Sequence, residues 1–313
     1  MRWGQVAALV AGTAALTWML STVGWMGIVH AAVLGGPALP AALAIHAGQL
    51  LLAGLAWRAA LGAPLTRLLV ARIRWVREGV NTMLPAAHIG GQVVGVRLLV
   101  KAGVTPVRAV VGTILDLTLE AAAQLLVVLS AAGLLLILRD GQREWLLWAG
   151  AGLGMIGLTV GALMVALRLG ALRAIETGLE RVAVRWPGAG AWSMEGLHAM
   201  LMERQADRGA MLRSMLLSVA SWSLGTLEVW VILRALGVEP GLEVCFVIES
   251  LAMAARSAGF AIPGAVGVQE GGFVLACGLF GIGAETALAL SVLKRLRELI
   301  VGGGALLTWQ FAR

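Results

Sequence analysis

The chain of 313 residues is 59% apolar and 13% charged, with a mean hydropathy of +0.89, a balance that argues against a soluble domain and for helices in lipid. A net charge of +7 would suggest nucleic acid in a soluble protein, but here the arginines gather in particular segments. That pattern reports membrane topology, and no nucleic-acid partner is expected. The 42 glycines and 12 tryptophans suit closely packed helices with indoles at the membrane interfaces.

Residues 1–24 carry one arginine followed by an apolar run that continues past the length of a signal sequence. It reads as a first membrane helix. Runs long enough to cross about 30 Å of hydrocarbon recur near 4–24, 39–61, 107–138, 144–168, 212–236 and 284–311. The segment 25–38, read as a loop, has no Lys or Arg, whereas the segment read as a loop over 62–77 carries Arg67, Arg72, Arg74 and Arg77. The segment 168–213 carries Arg168, Arg173, Arg181, Arg185, Arg204, Arg208 and Arg213. The two basic segments are expected to be cytoplasmic, which puts both termini on that side. Within 169–211, Leu172, Ile175, Leu179, Val182 and Trp186 recur at helical spacing between charges and predict an interfacial amphipathic helix.

Two apolar stretches fit poorly as spans. Pro85 and the pair Gly90-Gly91 interrupt 80–103, and Pro263, Gly264, Gly267, Gly271 and Gly272 interrupt 258–283. Broken backbone at membrane depth needs protein or a water-filled cavity around it, so both are expected to be re-entrant elements. A shift of 178 residues lays Pro85 on Pro263, and it matches Ala87, Val96, Gly103, Ala109, Leu115 and Glu120 to identical residues. The predicted fold class is thus an all-α integral membrane protein of about six transmembrane helices plus two re-entrant elements. Residues 1–313 form one membrane domain with a first repeat at 39–138 and a second, inverted repeat at 217–313.

Asp116 and Glu120 fall roughly 13 and 20 Å into the helix 107–138 and share a face with Gln124. The matching helix carries Lys294, Arg295, Arg297 and Glu298 at equivalent depth. Charges there cost at least about 2.5 kcal/mol each if lipid-exposed, so they are expected to face inward in pairs. They serve either as ion pairs locking the repeats together or as the lining of a polar cavity for a lipid head group or a proton. The cations suit phosphate or carboxylate. Glu270 either caps exposed amides after the Pro263-Gly264 break or contacts substrate.

Glu249 and Arg256 are expected to pair with each other, and Glu228 is a candidate partner of Arg234. Cys245 and Cys277 lack metal or redox spacing and read as buried thiols. His30, His46, His88 and His198 are scattered and read as surface or buried neutral side chains. Gly150, Gly154, Gly157 and Gly161 suit close helix packing. The sequence shows no phosphate loop, zinc spacing or nucleophile elbow, and no cofactor is expected.

The stretch Ile262 to Arg297, with Asn81 to Val104, resembles the flippase-like family that includes the membrane region of lysylphosphatidylglycerol synthases. The similarity is closest to its hopanoid-biosynthesis-associated HpnL-type branch and covers essentially the whole chain. Its most specific pieces are Pro263 to Glu270 and Lys294 to Glu298; where relatives often carry an acid after the first glycine pair, this chain has Gln92. The resemblance implies a multi-pass protein of the bacterial inner membrane that moves a lipid, a hopanoid or a lipid precursor, between leaflets without being an enzyme. A membrane lipid is the expected partner, with a second copy of the chain or lipid-biosynthesis enzymes as further candidates. The competing expectation is a non-transporting scaffold or accessory subunit for hopanoid- or lipid-modifying enzymes.

Overall fold

A computed structural model describes residues 25–83, 89–138, 196–259 and 265–311, and every regular element among them is helical. In chain order they are α1 (Trp25–Gly35), a 3-10 turn (Gly36–Ala38), α2 (Leu39–Leu61), α3 (Arg67–Met83), α4 (Ile89–Lys101), α5 (Pro106–Leu138), α6 (Leu197–Ala206), α7 (Arg208–Ala235), α8 (Leu242–Ala258), α9 (Val268–Gly278) and α10 (Ala284–Phe311). Among the described residues, three stretches are long and apolar enough to cross a membrane: Ala32–Leu61, Pro106–Leu138 and Arg208–Ala235. With 28 residues α10 matches them in length, but it carries Lys294, Arg295, Arg297 and Glu298 near its centre.

Local chemistry sets the helix ends. Pro40 and Pro106 stand in the first turns of α2 and α5, where the missing amide costs nothing. Gly103 and Gly281, at φ +89° and +74°, turn the chain sharply ahead of α5 and α10 in a region closed to most side chains. Asp207 caps α7 by accepting the Ala210 N–H at 3.0 Å, and that bond holds its carboxyl below the usual range. Its contribution to the cap is therefore present at neutral pH and lost as the pH falls through that lowered value.

A long-short-short-long order of helices occurs twice, as α2-α3-α4-α5 and α7-α8-α9-α10. Within the first set α2 packs on α3 and α5, α3 on α4, and α4 on α5; within the second α7 packs on α8 and α10, α8 on α9, and α9 on α10. Each set has its own apolar core, one around Trp57, Leu61, Leu99 and Val111, the other around Ile232, Ile248, Phe273 and Leu290. Between the sets, α2 lies along α7, α3 along α10, and α5 against α8. Bonds across these seams include Ser221 Oγ to the Gln49 carbonyl (2.9 Å), Trp75 Nε1 to the Val301 carbonyl (2.9 Å) and Gln124 Nε2 to Ser257 Oγ (2.6 Å).

Several expectations change. The segment 25–38 is helix α1 with a 3-10 turn rather than a loop, because its apolar residues pack α1 against α10 and Pro37 and Pro40 sit where a helix tolerates them. The segment 62–77 is a loop only to residue 66; Arg67, at the first position of α3, and Arg72 are exposed, while Arg74 and Arg77 are buried. Gly90-Gly91 and Gly271-Gly272 lie inside α4 and α9 and interrupt neither helix. Gly91 lets α4 approach α3 closely enough for its N–H to reach Asn81 Oδ1 at 3.0 Å, and Gly272 faces Ala252 and Ala255 of α8. The spans expected at 4–24 and 144–168, the amphipathic helix through residue 195, the breaks at Pro85 and Pro263, and His88 lie outside the described residues.

The α3–α10 seam is tight. A Cβ on Gly79 would sit 2.5 Å from Ala305 Cβ and 3.1 Å from the Gly302 carbonyl, whereas one on Gly303 would meet nothing within 4 Å. Gly79→Val is therefore expected to destabilise the detergent-solubilised protein by about 1–3 kcal/mol. Gly303→Ala is expected to leave thermal unfolding unchanged or raise it slightly, by up to about 1 kcal/mol. Comparison of the two melting curves checks the seam.

Candidate functional site

The two apolar cores leave a polar cavity of about 410 Å³ between them, lined from α2, α3, α4, α5, α7, α8 and α10. Cations (Arg74, Arg77, Arg256, Lys294, Arg297) and carboxylates (Glu78, Glu120, Glu228, Glu249, Glu298) line it in equal number. Most of them come from helix positions one or more turns apart on a single face, which is how the sequence brings so many charges to one place.

On the α3–α5 side, Arg74 donates to Asp116 Oδ2 at 3.0 Å and to Glu120 Oε1 at 2.7 Å. Arg77 donates to the same Asp116 oxygen at 2.6 Å, and its guanidinium lies 4.8 Å from the ring centroid of Trp57. The i, i+3 spacing of the arginines matches the i, i+4 spacing of the acids, so a two-by-two cluster bridges the helices. Both Arg74 Nε and Arg77 Nε are buried without a partner among the described residues, which marks how fully this cluster is withdrawn from solvent.

On the α7–α8–α10 side, Lys294 Nζ donates to both Glu249 oxygens at 2.8 and 2.7 Å and lies 3.5 Å from Glu228. Arg297 holds Glu228 with two bonds, at 2.8 and 3.1 Å, the forked geometry that suits guanidinium. Arg256 pairs with Glu298 and donates to Gln269 Oε1 at 2.7 Å. Glu78 differs from the other cavity carboxylates: it makes no ion pair with any described residue.

Of the residues singled out in the sequence, Glu120, Lys294, Arg297 and Glu298 line the cavity, and Asp116 lies behind the lining beneath Arg74 and Arg77. Glu270 and Arg295 do not line it. Glu270 accepts the Gly267 N–H at 2.7 Å, capping α9, and Arg295 Nε at 3.0 Å, so it staples α9 to α10. The expected Glu249–Arg256 pair is replaced by Glu249–Lys294 and Arg256–Glu298, since α10 comes between them with complementary charges. Glu228 pairs inward with Arg297 and Lys294, leaving Arg234 to the exposed Glu239. The cation cluster expected to hold an anion is thus already matched to protein carboxylates.

Sequence reasoning missed Arg74 and Arg77, assigned to a loop, and His46, Glu78 and Asn81, which line the same cavity. The signal for the arginines was their three-residue spacing, with exposed Arg72 set apart by helical phase and exposed Arg67 by its place at the start of α3. Cys245 and Cys277 are buried thiols, and no group of ligating side chains among the described residues is arranged to hold a metal.

Fold and site together define an integral membrane protein of long helices with a charged cavity between two helical sets. The chain belongs to the family described as the lysylphosphatidylglycerol synthase TM region, whose model matches residues 3–304. Comparison with curated proteins and with solved structures gave no match.

Asp116→Asn leaves Glu120 as the one described carboxylate for two buried guanidinium groups and is expected to cost about 3–5 kcal/mol. Replacing Arg74, Arg77, Asp116 and Glu120 together by apolar residues of similar volume is expected to recover most of that loss. Thermal unfolding of both variants in one detergent checks whether the cluster stabilises by pairing.

Proposed function

We propose that this protein is a lipid flippase-type transporter, not an enzyme, in which the polar head group of a membrane lipid passes through the cavity while its chains stay in the bilayer. The observation that carries this is a charged cavity, assembled from both helical sets, inside a chain whose helices are long and apolar enough to span a membrane. Membership in a family named for the membrane region of a lipid synthase supports a lipid as the substrate, with a hopanoid or a lipid precursor as candidates. The bacterial inner membrane is the setting that fits this family, with both termini cytoplasmic.

The two helical sets fit an inverted repeat. The shift of 178 residues carries Pro106 onto Ala284 and the span of α4 onto that of α9, and the helix contacts within the sets correspond pair by pair. In this arrangement the two re-entrant elements are the segments 80–103 and 258–283, which contain α4 and α9, and the substrate lies between the repeats.

A second reading rests on the pairing of every cavity cation within its own helical set: ion pairs that only brace each set would suit a scaffold or accessory subunit for lipid-modifying enzymes. The two readings separate in vesicles. Ser257→Cys, placed on the cavity wall and labelled with a bulky maleimide, is expected to reduce transfer of a head-group-labelled phospholipid between leaflets at least tenfold. Ser130→Cys, exposed on α5 away from the cavity, is expected to have no effect when labelled. Equal transfer in both labelled proteins would remove the cavity from the lipid path, and no transfer in the unlabelled protein would favour the scaffold.

A further inference from the structure

His46 of α2 lines the cavity, and its hydrogen bonds fix its protonation state. Nε2 lies 3.3 Å from Arg297 Nη1; a guanidinium only donates, so Nε2 is the acceptor. Nδ1 therefore carries the hydrogen and donates to Gln49 Oε1 at 2.7 Å. Gln49 Nε2 in turn donates to the Ser221 carbonyl at 3.3 Å. A chain of hydrogen bonds thus runs from α10 through α2 to α7 and joins the two helical sets at a single neutral imidazole.

A second proton on Nε2 would remove the acceptor and set an imidazolium against the guanidinium of Arg297. The charged groups facing His46 are Arg297 from α10, Glu228 from α7 and Glu78 from α3. Lys294, Arg74, Arg77 and Glu120 stand further along the same wall. Glu228 is held by Arg297 and Lys294, so it offers little to a new cation. Glu78 has no ion-pair partner among the described residues and can receive one. The other cavity carboxylates are tied to cations that their protonation would strand, which leaves the imidazole of His46 as the group that takes up a proton at least cost.

We propose that His46 is a proton-binding site whose charged form is held by Glu78, and that its protonation breaks the Arg297–His46 link of the chain and frees α2 from α10. Resting on the transport reading, this is the step that couples a proton to lipid movement. The proton adds to Nε2 and leaves from the same atom, so nothing else is consumed.

The test uses the full chain in lipid nanodiscs with spin labels at Ala47→Cys on α2 and Leu299→Cys on α10, both exposed, while the native cysteines are buried. Lowering the pH from about 8 to about 5.5, across the range in which imidazole titrates, is expected to populate a longer α2–α10 distance several-fold. His46→Gln, which keeps a donor and an acceptor, is expected to hold the short distance throughout. Glu78→Gln is expected to move the change to lower pH, because the carboxylate favouring the imidazolium is gone. A distance distribution identical at both pH values, or one that still responds in His46→Gln, overturns the proton site. Lipid transfer in vesicles supplies the second arm: transfer equally fast at both pH values overturns the coupling. No transfer at either pH defeats the transport reading, and the label distances still decide the proton site.

Discussion

The structure depends on one constraint: charges withdrawn from water must meet charges of opposite sign. Asp116, Glu228, Lys294 and Arg297 are buried on helices that otherwise carry apolar side chains. Unpaired, any one of them would cost several kcal/mol, so α3 must bring Arg74 and Arg77 to α5, and α7 and α8 must bring Glu228 and Glu249 to α10. The ion pairs therefore fix which helix faces which, and the apolar cores on either side fill in around them.

The same pairing leaves little free charge. A site built to hold an anion would keep guanidinium donors in reserve, but the cations of this cavity are matched to protein carboxylates, and among the described residues the lining charge without an ion pair is Glu78. A ligand entering such a site must exchange with existing pairs or bring both signs with it. Paired charges facing a cavity can repartition among partners at modest cost, since each lost contact is replaced, whereas a dry apolar interface cannot. The ion pairs brace each helical set from within, and the cavity they face is thus where the sets can most readily rearrange.

Small residues make this geometry possible. At Gly79 and Gly302, α3 and α10 approach too closely for a Cβ, and Gly91 brings α4 onto the backbone of α3. These contacts close the cavity without lengthening any side chain, as in other helix packings where the hydrophobic effect offers no drive between spans. Gly91 and Gly272, read in the sequence as helix breakers, proved to be contact surfaces, because an amide ladder supported by neighbouring helices tolerates glycine that an isolated helix would not.

The sequence by itself determined the membrane class, the helices 39–61, 107–138 and 284–311 to within a residue, and the mid-helix charges that had to be buried. These follow from hydropathy, proline placement and helical spacing, all local properties. It could not determine who pairs with whom. Arg74 and Arg77 looked like topology signals because charge density along the chain carries no information about the partner face, and Glu249 and Arg256 looked like partners because spacing on one helix ignores the helix that comes between them. Likewise His46, isolated in sequence, gains its role only where α2 meets Arg297 and Glu78. Pairing between helices is a long-range property, and only the tertiary structure brings those side chains within reach of one another.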